Sequence, residues 1–261
     1  MDATNCQSDD PATQLSGAAV PWKWIVPLLA VMAVPMVLER FGVVPISKLE
    51  FVGDQRPVGA DWPWLGVVAA QALVGGCLLL LCWREYIRSL PWRVSWLALP
   101  AGLLGLLAWV GICELGWEQA IYQNLPGADL KALARASINP SESFPDPVSY
   151  GLFLVARFAV LVAVIPIAEE LLLRGIFLRM LQRDDWWAMP MRELSGTSIA
   201  ISAVYGALTH PNEIFAAIVW FAAVTWWVRW TNRFWDGVLI HAVTNAALGV
   251  YVLTYQQWHL W

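Results

Sequence analysis

The sequence predicts an all-α fold: a polytopic membrane helix bundle of about seven transmembrane helices. Three observations carry this. Of 261 residues, 59% are hydrophobic and only 14% charged, against about 25% charged in soluble domains. The apolar residues fall into runs of spanning length, which takes about 20 residues, or fewer where protein shields the ends. A small set of ionisable and amide side chains lies deep inside the later runs, where each must pair or line a wet cavity.

The first run, 23–44, contains Pro27 and Pro35 and is expected to kink. The second is 63–83. The third, 95–115, carries Gly102, Gly105 and Gly111, which would admit a close helix neighbour. The fourth is 150–178. The fifth, 197–210, is short and stops at His210-Pro211, because proline cannot continue the helix. The sixth and seventh are 213–230 and 234–254. Residues 1–21 hold Asp2, Asp9 and Asp10 and lack the basic start of a signal peptide, so a disordered tail is expected. Residues 22–261 read as a single transmembrane domain, with the chemistry-bearing helices in about 150–254.

Arginines at 84, 88 and 93, at 179, 183 and 192, and at 229 and 233 place three connections in the cytoplasm, with the N-terminus inside and the C-terminus outside. The 116–149 connection is then external. Within it, 127–138 reads as a thin amphipathic helix and Pro140–Pro147 as a turn-rich connector. Eighteen Trp, among them Trp83, Trp92, Trp186 and Trp226, gather near run ends as an interface belt. Net charge is −4 and no basic patch suggests nucleic acid. Cys6, Cys77, Cys82 and Cys113 form no C-x-x-C pair and read as small apolar residues.

The fourth run ends in Pro166-Ile-Ala-Glu-Glu-Leu-Leu-Leu-Arg-Gly-Ile-Phe177. Glu170 and Arg174 are four apart and can form an internal ion pair. Glu169 is rotated by about 100° and faces elsewhere. His210 ends the fifth run, and His241 and Asn245 share a face of the seventh. The remaining His259 lies in the tail and reads as surface.

This set, Glu-Glu-x-x-x-Arg, then a helix-borne His, then His-x-x-x-Asn, resembles the CPBP intramembrane metalloprotease family. That group includes type II CAAX prenyl proteases and bacteriocin-processing or self-immunity proteins. The likeness covers roughly 150–250. It departs at the second motif: the family has Phe-x-x-x-His, and here Gly206 stands four before His210, with Tyr205 as a substitute ring. The whole chain also resembles, more loosely, the CAAX-protease-related proteins that accompany bacterial exosortase systems. No Cys lies near the motifs, which excludes exosortase itself. The resemblance implies an intramembrane endopeptidase of the bacterial inner membrane. Its substrates would be membrane-anchored proteins or peptides, with membrane lipid around it and exosortase-system proteins as possible partners.

The residues admit that chemistry on their own terms. A carboxylate in a low-dielectric site gains basicity and can take a proton from water, the role expected of Glu169. His210 can orient the water, and His241 and Asn245 can donate to the developing oxyanion. Glu169, His210 and His241 also offer one oxygen and two nitrogen ligands, a set that suits Zn2+ with an open position, so both a metal-free and a zinc mechanism stand. The competing reading is a non-catalytic scaffold or immunity protein, with a transporter more distant. An inactive relative would be expected to lose Glu169, His210 or Asn245, and none is lost.

Overall fold

The computed structural model describes residues 22–41, 61–124 and 139–260. The expected tail at 1–21, most of the 45–62 connection and the amphipathic helix at 127–138 lie outside these residues. The described chain is helical, with no strand among the described residues. The helices are α1 (Trp22–Arg40), α2 (Asp61–Ser89), α3 (Ala98–Cys113), α4 (Trp117–Asn124), α5 (Pro147–Met180), α6 (Gly196–Thr209), α7 (Ile214–Thr231) and α8 (Phe234–Tyr255).

Each of the seven predicted runs is a helix, but they are not equal. By length and composition, α2 from Trp64, α5, α7 and α8 can cross a membrane; Trp22–Leu38 of α1, α3 and α6 are shorter apolar helices. The protein is an integral membrane helix bundle. Helix α6 packs on α7, α8 on α3, and α1 on α2, while α5 runs between α1, α2 and α8.

Helix α5 organises the bundle. Asp146 caps it, accepting from Val148 N (3.1 Å) and Ser149 N (2.9 Å), and Pro147 occupies the first turn, where no N–H is needed. At 34 residues, α5 is about 51 Å long, well over the roughly 30 Å hydrocarbon layer. Its regular ladder is interrupted twice by π-helical turns, at Ala159–Val164 and Leu171–Phe177. The first has a chemical cause. Ile165 N–H bonds five residues back, to Val160 O. In that register Leu161 O would accept from residue 166, and Pro166 has no N–H to give. Widened turns of this kind concentrate at functional sites.

Helix α6 starts on Ser195, whose Oγ accepts from Ser198 N (3.2 Å), and stops at Thr209 before His210-Pro211. Two of the three glycines in α3 act as expected. A Cβ on Gly102 would come within 2.6 Å of Val243 Cβ, and one on Gly105 within 2.7 Å of Thr244 Oγ1. Thr244 exploits the approach by donating to Gly102 O at 3.0 Å. Gly111 meets nothing within 4 Å and does not serve packing.

Three expectations need correction. The Pro140–Pro147 connector contains a helical turn, Pro140–Ser143, with Pro140, Ser143 and Phe144 buried. Arg179 is not a free cytoplasmic charge: it is buried, donating to Gly175 O (3.0 Å) and Trp187 O (2.8 Å). The Trp residues are only partly an interface belt. Trp226 and Trp230 stack on the exterior, but Trp24, Trp109, Trp220 and Trp235 are buried, and Trp83 and Trp92 pack on Trp235. The indole N–H of Trp235 finds Leu90 O at 2.9 Å, which makes such burial tolerable. Cys77, Cys82 and Cys113 form no disulfide among the described residues, and His259 is exposed.

Candidate active site

A cavity of about 280 Å³ opens between α5, α8, α7 and the end of α6. Glu169, His210, His241 and Asn245, predicted from three separate runs, all line it. Glu170 and Arg174 do not; they stand behind its wall.

The pair behind the wall is joined through Glu170 Oε1, while Oε2 is buried without a hydrogen-bond partner among the described residues. Both side chains are fully buried, and Arg174 Nη1 donates to Glu170 Oε1 across one helical turn. The other guanidinium donors leave α5: Nε to Thr225 Oγ1 (2.9 Å) and Nη2 to Phe221 O (3.0 Å). Thr225 in turn donates to Ser202 Oγ (2.7 Å), which donates to Phe221 O (3.0 Å). This loop ties α5, α6 and α7 together, so that the buried charge is both paired and hydrogen-bonded.

Glu169 faces the cavity. Tyr205 donates its hydroxyl to Glu169 Oε1 at 2.9 Å. Oε2 lies 3.7 Å from His241 Nε2, too long for a direct hydrogen bond. His241 Nδ1 sits 3.2 Å from Glu170 Oε1. A carboxylate oxygen only accepts, so Nδ1 carries the proton and Nε2 is the atom presented to Glu169. His241 thus couples the two regions, and the Glu170–Arg174 pair supports it from behind. The ring is further set by Trp220, with centroids 4.7 Å apart.

His210 caps α6 from the other side. Its Nδ1 lies 2.9 Å from Thr209 Oγ1 and 3.3 Å from Gly206 O. The Thr209 hydroxyl donates to Tyr205 O at 2.9 Å, so both neighbours act as acceptors and Nδ1 bears the proton. That tautomer leaves Nε2 with a lone pair. Two rings from other helices lie against His210 across the helix interface. Phe221 of α7 and Trp109 of α3 lie 5.5 and 5.4 Å from His210, centroid to centroid. Phe221 can do so because residue 206 is glycine: a Cβ there would come within 2.6 Å of its ring.

Asn245 Nδ2 donates to Leu161 O at 2.9 Å. This is the carbonyl stranded by Pro166, so Asn245 repairs the α5 interruption and is fixed by it. One N–H remains for the cavity. Residues the motif pattern missed are Tyr205 as a hydrogen-bond donor, Ser202 and Thr225 in the support network, Trp109 and Trp220 around the histidines, and Arg157 on the cavity wall. For Arg157 a signal existed: it is another charge inside an apolar run.

A zinc site requires Glu169, His210 and His241 to meet at one point. Glu169 and His241 approach each other, but no three His, Cys, Asp or Glu side chains among the described residues have the spacing of a metal site. The residues as arranged do not form the ligand set, and no step below is routed through a metal.

Residues 151–247 match the family model described as type II CAAX prenyl endopeptidase Rce1-like. No curated protein and no solved structure matches the chain. The matched segment holds all six of the predicted polar residues, from Glu169 to Asn245. Over that segment the chain is similar to type II CAAX prenyl endopeptidases, and by its helices it is an integral membrane protein.

Proposed function

We propose that this protein is an intramembrane endopeptidase of the bacterial inner membrane, cleaving membrane-anchored protein or peptide substrates with a water activated by Glu169. The observation that carries the reading is the state of one carboxylate: Glu169 has Oε1 held by Tyr205 and Oε2 turned toward His241 on a cavity wall. In this mechanism, Oε2 takes a proton from water while His210 Nε2 accepts the water's other hydrogen and aims it. The hydroxide oxygen bonds to the peptide carbonyl carbon. The remaining N–H of Asn245 meets the oxyanion, joined by His241 where its Nε2 has taken up a solvent proton, which it releases again after the step. Collapse breaks the C–N bond, and Glu169 returns its proton to the departing nitrogen. Glu170 and Arg174 act as structural support. A zinc ion held by Glu169, His210 and His241 after local rearrangement is the alternative form of the same proposal, and chelator sensitivity of the purified protein distinguishes the two.

Exosortase-system proteins are the partners this reading favours, by resemblance to the chains that accompany them. In cells carrying Glu169→Gln, a defined set of membrane proteins is expected to accumulate uncleaved. Unchanged protein termini would contradict the proposal and favour a non-catalytic scaffold. The same reading has the cavity open to the cytoplasmic half of the membrane. Glu169 lies about 16 Å from the Met180 end of α5, and His241 about 10 Å from the Phe234 end of α8, at 1.5 Å per residue. With the arginine-rich connections inside, Arg88→Cys and Arg183→Cys are expected to resist an impermeant thiol reagent in intact cells. Asp54→Cys and Glu142→Cys are expected to react. The reverse pattern inverts the topology.

A further inference from the structure

Among the described residues, every one that lines the cavity stands on α3, α5, α7 or α8, or is His210 at the end of α6, with one exception. The exception is Leu260. Helix α8 ends at Tyr255, and Gln256 turns the chain in a left-handed conformation, with φ 57° and ψ 32°. Trp258–Leu260 then form a single 3-10 turn, closed by Leu260 N donating to Gln257 O at 3.0 Å, and this turn packs back on α8. His259 is exposed, whereas Leu260 is only 4% exposed.

The place of Leu260 follows from the register of the helices. On α8, His241 faces Glu169 of α5 at 3.7 Å, and Asn245, one turn on, donates to Leu161 O at 2.9 Å. The cavity continues along α8 through Leu248 and Gly249 to Val252. Val252 is eleven residues past His241, about 16 Å at 1.5 Å per residue. Leu260 follows Tyr255 by five residues and so reaches the cavity at this end, the one away from Glu169 and the histidines. A polypeptide laid along α8 from the reactive end runs into Leu260.

Two features mark the segment as movable. A residue with a Cβ seldom adopts positive φ, because the conformation is costly, and glycine is the usual occupant just past a helix. Gln256 adopts it nonetheless, and the seating of Leu260 offsets the cost. That seat is small. Burial of one leucine side chain favours the closed arrangement by roughly ten- to a hundredfold. This is enough to keep the cavity end closed at rest, and little enough for a competing apolar chain to displace.

We propose that residues 256–260 are a self-inhibitory strap. Seated, Leu260 fills the end of the cavity. Released about Gln256, the strap gives a polypeptide the full length of the groove between α5 and α8. The proposal goes beyond the endopeptidase reading and rests on it only for the consequence that release speeds cleavage.

The test reads access first and turnover second. Val252→Cys is introduced into the full-length protein in nanodiscs. Its reaction with a small water-soluble methanethiosulfonate is followed by intact mass, against the protein with Val252 in place. Gln256→Pro keeps Leu260 but forbids positive φ, and it is expected to speed labelling at least about tenfold, the factor that one buried leucine supplies. Gln256→Gly adopts positive φ freely and is expected to slow labelling severalfold, an effect of opposite sign that misfolding does not imitate. Leu260→Asp should open the cavity as Gln256→Pro does, and Leu260→Met, which conserves volume, should leave labelling near the parent rate. Equal labelling in all of these proteins, or faster labelling in both Gln256 variants, overturns the proposal. In cells, without the cysteine probe, Gln256→Pro is expected to shorten the lifetime of the uncleaved proteins that accumulate with Glu169→Gln. Faster labelling with unchanged or slower cleavage overturns the inhibitory role. If labelling follows the strap but Glu169→Gln alters no protein terminus, the endopeptidase reading fails while the strap stands as the closure of the cavity.

Discussion

Glu169 and Glu170 are neighbours in sequence, yet they belong to two different regions of the molecule. Glu170 sits in a buried network with Arg174, Thr225, Ser202 and His241 that joins four helices. Glu169 accepts one direct hydrogen bond among the described residues, from Tyr205, and turns its other oxygen toward His241 on the cavity wall. A rotation of about 100° along one helix makes the difference. The contrast supports the proposed division of roles: one carboxylate is committed to a cation inside the bundle, and its neighbour is presented to a cavity.

The support side is expected to show the largest effect. Arg174→Leu leaves Glu170 buried without its cation, and removing one partner of such a pair costs about 3–5 kcal/mol. The variant should accumulate poorly, as measured by membrane yield and the thermal unfolding midpoint. Normal accumulation of an inactive Arg174→Leu protein would move Arg174 into the chemistry and dissolve the contrast. On the cavity side the effect is smaller and kinetic. Tyr205→Phe keeps the ring against Phe221 but removes the hydroxyl that donates to Glu169. A hydrogen bond to a charged group is worth about 1.5–3 kcal/mol, so cleavage of a cellular substrate should slow about tenfold or more with unchanged yield. A drop in yield without a kinetic change would make Tyr205 a packing residue.

Much of this contrast was legible in the sequence because charge inside an apolar run is conspicuous. Glu169, Glu170, Arg174, His210, His241 and Asn245 were each found that way, and the i,i+4 rule separated Glu170 from Glu169. What local patterns could not show were contacts between distant segments. The aromatic partner of His210 comes from Phe221, through a gap that Gly206 leaves, and no spacing rule joins those helices. Asn245 reads as a donor for substrate, but half its hydrogen-bonding capacity mends the carbonyl that Pro166 strands on α5. The Trp belt was over-read because tryptophan near a run end is equally compatible with an interface and with a buried cluster such as Trp83–Trp92–Trp235. Of the seven runs, four are helices of spanning length, and α1, α3 and α6 are shorter apolar helices.

The division between the two carboxylates is tested most directly by preparing Glu169→Gln and Glu170→Gln side by side. For each, the thermal unfolding midpoint of the purified full-length protein and the uncleaved membrane proteins in cells are measured. The expected result is that Glu169→Gln unfolds at the wild-type temperature and loses cleavage entirely. Glu170→Gln, in contrast, unfolds several degrees lower because Arg174 loses its counter-charge and His241 its anionic support. If Glu169→Gln still cleaves, or if Glu170→Gln is as stable as wild type while Glu169→Gln is not, the roles assigned here are wrong.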